Sequence, residues 1–549
     1  MGSLASKEEK SLVCVRDVLK TYDVPKSLVI VTDRYASDPQ GWHRGYNIEL
    51  EVSFAGVVVP DDYPSMKKID IARRAMECAW KQRVKISAHG AGQSPINAGL
   101  GGGSRGMWGY EPLVISMMNF RDFEFEDGVA TIGSGLTLGD VDEKLYWPHR
   151  RAIPLGSSPY VSFGGNTVLP NDSLLQGGVG PASRMWGLTS DQVLEMEVLL
   201  ANGSVVIAND SVNQDLFWAM RGAGNSFGIV TKFKVKTYPA PEQVVQYTYS
   251  YTMGMGISFV DVLEEWLIMA NDEHLDHRFS SQLVMKPGVA FITGTFYGSE
   301  AAYNASGIHA KVLKSPLLDE YKVSNWSSTQ WHHHQEYLNI LGFRKHASFY
   351  GRSQLLAKNE MPDRKSLERL LLLIGGPHQP WTNWYVVWET VGGAINLVRG
   401  DATAFPHRDK LVNFQAIAMG TPKMVNDVFK IFQNRVNRES RILMDRLQNT
   451  TNRNGSIPLA ILPGWQEHRM NHQTALRAYW GTNIQLLEEL KAKWDDGSWL
   501  DGFHKVRNWC NYRHSGKASS RPGYCEAYRG LGTGAITPTI RKLLGMDPW

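Results

Sequence analysis

Three glycine-rich turns hold the residues best placed to do chemistry: "SAHGAGQS" ending at Ser94, "GSSPYVSFGG" from Gly156 to Gly165, and "RGAGNSFGIV" ending at Val230. Glycine has no Cβ, so successive backbone N–H groups in such turns can converge on an anion, and a pyrophosphate suits them. A dinucleotide is the ligand this predicts. The string "GGGSRG", Gly101 to Gly106, matches G-x-G-x-x-G but fails in context. No strand leads directly into it, and Gly109 and Pro112 keep a helix from opening at its end, so the helix N-terminus of a Rossmann site is missing. There is no Walker A sequence. His468 and His472 have i, i+4 spacing but lack the adjacent Glu of a zinc helix, so no metal is expected. "WHHHQEY", around His332 to His334, reads most simply as a polar loop, with a pocket role as the alternative.

The elements that must position these turns follow from periodicity. Met66, Ile69, Ala72, Met76 and Ala79 fall on one helical face, and a short strand then ends at Ser87, just before the first turn. A strand to Ile132 precedes a helix starting near Thr137. Asn202-Gly203 joins two strands as a hairpin, because both residues tolerate positive φ. A helix stopped by Gly222 leads through the third turn into a strand alternating Thr231, Phe233 and Val235 with lysines. Pro239 and Pro241 mark a boundary. Beyond it, helical runs such as "RKSLERLLLLI" alternate with strand runs such as "NWYVVWETVGGAINLV", an α+β pattern that presents a sheet. A helix with Ile484, Leu487 and Leu490 on one face follows, and the last fifty or so residues have little periodicity.

At 549 residues the chain exceeds what one hydrophobic core usually serves. A net charge of +4 with no basic block implies neither nucleic acid nor an anionic membrane, which leaves a small-molecule partner. Cys14, Cys78, Cys510 and Cys525 are too few for a disulfide framework and lack metal spacing, so reduced thiols are expected. No apolar run reaches membrane-spanning length and "MGSLASKEEK" lacks the core of a secretory signal, so a soluble, cytoplasmic protein is expected. Gly2 and Ser6 fit the loose myristoylation pattern, without a second anchor. Asn-x-Ser/Thr triplets such as Asn202-Gly-Ser and Asn304-Ala-Ser would then never meet the glycosylation machinery.

Taken in order, "SAHGAGQS", "GVATIGSGLTLGDV", "GSSPYVSFGG", "GGVGPASRMWGLTSDQVLEMEVLLANG" and "DLFWAMRGAGNSFGIVT" resemble the flavin-binding domain of the vanillyl-alcohol-oxidase, or PCMH, type. "GGAINLVRGDATAFPHRD" and "AYWGTNIQLLEELKAKWDD" resemble hallmarks of the berberine-bridge-enzyme-like oxidases, including their fungal members. The resemblance implies an α+β chain in which an antiparallel-sheet substrate domain with helices is inserted into a two-subdomain PCMH-type FAD-binding domain. In residue terms it implies an extension over 1–44, the flavin domain over 45–241, the substrate domain over 242–460, a return to the flavin domain over 461–499, and a tail over 500–549. FAD would then be bound by Gly90, Ala91, Gly92, Gln93 and Ser94, by Gly156, Ser157, Ser158, Gly164 and Gly165, and by Phe227, Gly228, Ile229 and Val230.

Departures from the family sharpen this. Many members tether the flavin through a histidine and a cysteine, where this chain has Gln93 and Ser158, so FAD is expected to be noncovalent. His89 is offset from the tether position and is expected to hydrogen-bond within its loop. "NTVLPNDSLLQGG" carries about six residues more than the family's compact turn. The plant members' glutamate base is missing from the run Asn396 to Arg399, and the fungal members' tyrosine is replaced in Arg469-Met470-Asn471-His472. Glu389 and His472 are the candidate acid/base groups, and His407 and Arg408 are expected to support the fold. The activity implied is proton abstraction from a small, secondary-metabolite-like substrate with hydride transfer to flavin, which O2 then reoxidises. A redox-neutral cyclase or isomerase on the same fold, and a noncatalytic binding protein, stand as alternatives.

Overall fold

The computed structural model describes residues 6–30, 42, 45–48, 52–94, 97–101, 111–168, 177–252, 258–307, 316, 318–329, 332–333, 348–375, 383–420, 476–477, 479–500 and 506. Helix α1 (Lys7–Thr21) opens with a capping box: the Ser6 hydroxyl accepts from the Glu9 N–H, and the Glu9 carboxylate accepts from the Ser6 N–H. Its buried stripe, Leu12, Val15 and Leu19, packs with Ile71, Ala72, Ala75 and Met76 of α2 (Lys68–Lys81) in one core. The N-terminal segment is therefore part of that core and not an appendage to it. Cys14 and Cys78 are joined by a disulfide across these two helices, which corrects the expectation of reduced thiols for this pair; Cys510 and Cys525 lie outside the described residues. A separation of 64 residues between Cys14 and Cys78 hid the pairing, because only helix packing brings them face to face.

Strands β1 (Val29–Ile30), β2 (Gly56–Val58), β3 (Ile86–His89) and β4 (Leu113–Ser116) form a sheet in the order β1-β2-β4-β3. The pairing of β3 with β4 is parallel, so the first glycine turn leaves at a carboxyl edge. Next come β5 (Phe123–Glu126), β6 (Val129–Gly133), β7 (Arg151–Ala152), β8 (Val193–Leu199), β9 (Val205–Asn209), β10 (Ile229–Lys236) and β11 (Tyr238–Pro239). They give an antiparallel sheet ordered β5-β6-β10-β8-β9 and a small β7/β11 pair.

Helices α3 (Leu138–His149), α4 (Phe163–Val168), α5 (Ser183–Trp186) and α6 (Gln214–Ala223) connect these strands. Thr137 caps α3, its hydroxyl accepting from the Asp140 N–H at 3.2 Å. The core under the second sheet gathers Ile132, Phe163, Phe217 and Phe233. Trp480, Leu487 and Leu490 join that core from the C-terminal region, as does Val506. Leu500 pairs with Ile86 in the first sheet.

A second architecture lies between. Strands β12 (Val244–Thr252), β13 (Phe279–Lys286), β14 (Val289–Phe296), β15 (Leu318–Ser324), β16 (Ser348–Ala357), β17 (Asn383–Thr390) and β18 (Lys410–Gly420) form a seven-stranded sheet ordered β15-β12-β14-β13-β17-β18-β16. Its pairings are all antiparallel. Side chains alternate across a strand. One face, with Tyr247, Leu283, Ile292, Trp388 and Phe414, is covered by α7 (Phe259–Ala270), α8 (Glu300–Ala305) and α9 (Arg364–Gly375). The opposite face turns toward the glycine-rich half.

Arg184, on α5, joins the two halves. Its guanidinium donates to the backbone carbonyls of Val391 at 2.5 Å, Phe279 at 2.8 Å and Leu275 at 3.1 Å. Only 4% of it is exposed, and burial pulls its pKa down to about 10 against the raising influence of the Asp276 charge, while its hydrogen bonds go to backbone carbonyls. A second tie is Arg408, bidentate to Asp191 at 2.7 Å on both oxygens. Among the described residues no helix is long and apolar enough to cross a membrane.

Replacing Arg184 with Met strands several buried carbonyls, each costing about 1–3 kcal/mol. We expect a urea midpoint shift equivalent to at least ~2 kcal/mol, read by Trp fluorescence. An unchanged midpoint would show that the two halves do not depend on this contact.

Candidate functional site

Two of the predicted turns come together. Gly90 follows β3 and backs directly onto Ser162, the residue before α4; a Cβ there would collide with the Ser162 hydroxyl. Three residues further, the Ser158 hydroxyl donates to the Gln93 side-chain oxygen at 3.4 Å. The N–H groups of Gly90, Ala91, Gly92 and Gln93 meet no acceptor among the described residues. Ser94 instead shapes its own turn, its hydroxyl accepting from the Ala98 N–H. The buried hydroxyls of Ser116 and Ser134 are likewise without a partner among the described residues. Unmatched donors along one seam fit the phosphates and polyol chain of FAD.

The other expected cofactor contacts sit differently. Gly156 packs against Asn166, and Gly164 against Ser134, with Gly165 beside it in α4. Close packing alone would require glycine at the first two. Ser157 lines a small pocket described below. Phe227 and Val230 are buried in the core under the second sheet, Ile229 in the core of the first, and Gly228 presses on Val198. In that stretch only the backbone is left to meet a ligand. The Nδ1 of His89 has no partner among the described residues, and the ring lies edge-on to Trp42, 5.0 Å between centroids. Burial pushes it down to about 4, so it is neutral and packed.

A second group of polar side chains lies on the face of the seven-stranded sheet opposite α7, α8 and α9. Glu389, near the end of β17, pairs with Asn413 of β18 and Gln282 of β13. Asn413 and Gln415 each donate a side-chain amide to one Glu389 oxygen, Oε2, both at 2.8 Å. The carboxyl lies deep without being sealed, and burial raises its pKa above the ordinary glutamate value against the lowering by those two amides. It is a carboxyl oriented from one side with its second oxygen left for another contact.

The triple-histidine run was expected to be a polar loop, and the structure corrects this for two of its members. His333 is 5% exposed and its Nε2 lies 3.1 Å from the Thr295 hydroxyl, on the same face of the sheet as Glu389. Burial pushes His333 down to about 3 and His332 to about 4, so both are neutral. His333 lines a pocket with Ser157, Tyr297, Trp326 and Thr329, where the two halves meet. Beside it Asp142 accepts from the Trp326 indole N–H at 2.7 Å, and burial raises that carboxyl to about 7. The local signal that could have found Asn413 and Gln415 is alternation, since they interleave with Val412 and Phe414 in "LVNFQ". Arg184 and His333 carry no comparable local mark. His407 Nε2 lies 3.0 Å from the Tyr479 carbonyl oxygen, and with Arg408 it supports the fold. His472, His334, the "GGGSRG" string beyond Gly101 and the long turn's residues 169–176 lie outside the described residues.

Residues 65–209 match the FAD binding domain family. Over 472 residues the chain is 25% identical to the FAD-linked oxidoreductase sorD of Penicillium rubens, covering 84% of this chain and 91% of that one. It is 25% identical to the chitooligosaccharide oxidase of Gibberella zeae, covering 84% and 89%. Over 34% of the chain it is 31% identical to berberine bridge enzyme-like 11 of Arabidopsis thaliana. A solved chitooligosaccharide oxidase superposes with a TM-score of 0.73 at 22% identity, covering 90% of this chain and 99% of that one. The Acremonium strictum glucooligosaccharide oxidase, whose structure reports a novel flavinylation, gives the same TM-score of 0.73 at 22% identity, covering 98% of that chain. The fold is the PCMH-type flavin fold, and the cofactor of this domain is FAD.

Asn413→Leu removes one of the two bonds that favour the charged form of Glu389. Its carboxyl should titrate at still higher pH than in the parent, seen in the carboxyl band of pH-difference infrared spectra. A band that titrates at lower pH would contradict the assigned geometry.

Proposed function

We infer that this FAD-linked oxidoreductase of the berberine-bridge-like type holds its FAD without a covalent bond and oxidises a small, partly apolar molecule of the secondary-metabolite kind. One observation supports the first half: Gln93 and Ser158, which the resemblance puts at the family's two tether positions, lie 3.4 Å apart. Neither a carboxamide nor an unactivated hydroxyl forms the usual histidyl or cysteinyl link. The N–H groups from Gly90 to Gln93 would hold the phosphates. Relatives named for oligosaccharides share the fold, and sorD, an FAD-linked oxidoreductase with no substrate in its name, shares as much of the sequence.

The substrate would lie between the turns and the uncovered sheet face. Bound FAD supplies a hydride acceptor there, with O2 as the proposed electron sink. Glu389 is the proposed base: Asn413 and Gln415 fix Oε2, which leaves Oε1 to take a proton from substrate. A raised pKa brings the carboxylate's basicity closer to neutral pH, where proton transfer from a weak acid is more favourable. His472 is the second proposed acid/base group. Thr295, backed by neutral His333, offers a hydroxyl for orientation.

Acid precipitation of the yellow protein should leave the flavin in the supernatant; a yellow pellet would overturn the noncovalent reading. Gln93→His combined with Ser158→Cys should make the flavin stay with the pellet. Glu389→Gln should lower kcat/KM by about 10²–10⁴-fold. In the parent, kcat/KM should rise with pH through an inflection above the usual glutamate range, because the charged form is the base, and that limb should vanish in the variant. Flavin that substrate never bleaches under anaerobic conditions would instead support a redox-neutral reaction.

A further inference from the structure

The Cys14–Cys78 disulfide alters the standing of the Asn-x-Ser triplets. A disulfide linking two packed helices forms and persists in an oxidising compartment, which for a eukaryotic chain is the route that also carries the N-glycosylation machinery. Four triplets fall among described residues: Asn202-Gly203-Ser204, Asn209-Asp210-Ser211, Asn304-Ala305-Ser306 and Asn325-Trp326-Ser327. Their asparagines are not equivalent.

Asn202 is exposed in the β8/β9 turn, and its side-chain oxygen accepts from the Ser204 hydroxyl at 2.6 Å and the Ser204 N–H at 3.0 Å. Its amide nitrogen faces water. Asn325 is exposed in the same arrangement, its oxygen accepting from the Ser327 hydroxyl at 2.7 Å. Asn304 is exposed at the end of α8. Asn209 differs: it is half-buried, its nitrogen donates to Glu195 at 2.9 Å, and its oxygen accepts from the Ser211 and Val212 N–H groups. A glycan on that nitrogen would replace one of its two hydrogens beside Glu195 and crowd the sheet edge.

We propose that this chain carries N-linked glycans on Asn202, Asn304 and Asn325 and none on Asn209. Each arises by attack of the asparagine amide nitrogen on the anomeric carbon of a lipid-diphosphate-linked oligosaccharide. The N–C bond forms, the C–O bond to the diphosphate breaks, the lipid diphosphate leaves, and one amide proton is released. The proposal is independent of the flavin and substrate readings, since it rests on the disulfide and on the exposure of the three asparagines.

The test uses protein purified from the cells that naturally make it. Treatment with peptide N-glycosidase in heavy-oxygen water turns a glycan-bearing Asn into labelled Asp, which peptide mass spectrometry locates. Label at Asn202, Asn304 and Asn325, with Asn209 plain, is the expected result; plain Asn at any of the three, or label at Asn209, overturns it. Alkylation without reductant should leave Cys14 and Cys78 unmodified; alkylation of both removes the compartment premise and overturns the proposal with it. Asn304→Gln, if that site is labelled, should lower the intact mass by one glycan with activity unchanged.

Discussion

The joint made by Arg184 is the constraint on which the rest of the architecture depends. A guanidinium presents several N–H donors in a rigid plane, so a single buried side chain can saturate carbonyls from two separate segments, Leu275 to Phe279 and Val391. Burying a charge without a carboxylate is costly, as the depressed pKa of Arg184 records. That cost is offset only while all the carbonyls are in reach, which fixes how the α5 segment meets the sheet. Val391 immediately follows β17, so the same contact sets the height at which Glu389 is presented to the glycine turns.

Much of the flavin half could be read from its letters because its elements are locally encoded. The cap at Thr137, the Asn202-Gly203 hairpin and the alternation in β10 each depend on residues within one or two turns of each other. The glycine turns were legible for the same reason, though not in full detail: Gly156 and Gly164 are also demanded by Asn166 and Ser134. What was not legible depends on distance along the chain. The Cys14–Cys78 pairing, the Arg184 clamp and the burial of His333 are all set by tertiary packing, to which composition and periodicity are blind.

Glu389 shows the same division within one site. Its candidacy came from a resemblance, but its environment comes from β18, which pairs with β17 in register so that Asn413 lies directly opposite. The two amides work against burial, one electrostatic influence lowering the pKa and the other raising it, and the net rise shows that burial wins. The carboxyl is thus tuned by the strand beside it and not by a countercharge.

The seven-stranded sheet has one face sealed by helices, and along β17 and β18 the residues of its two faces simply alternate. Trp388 and Phe414 hold the layer together while Glu389, Asn413 and Gln415 look the other way. A mutation at any of the latter three leaves every contact of the sealed layer in place. Such a sheet lets evolution rewrite what the pocket accepts, one residue at a time, without reopening the question of whether the chain folds.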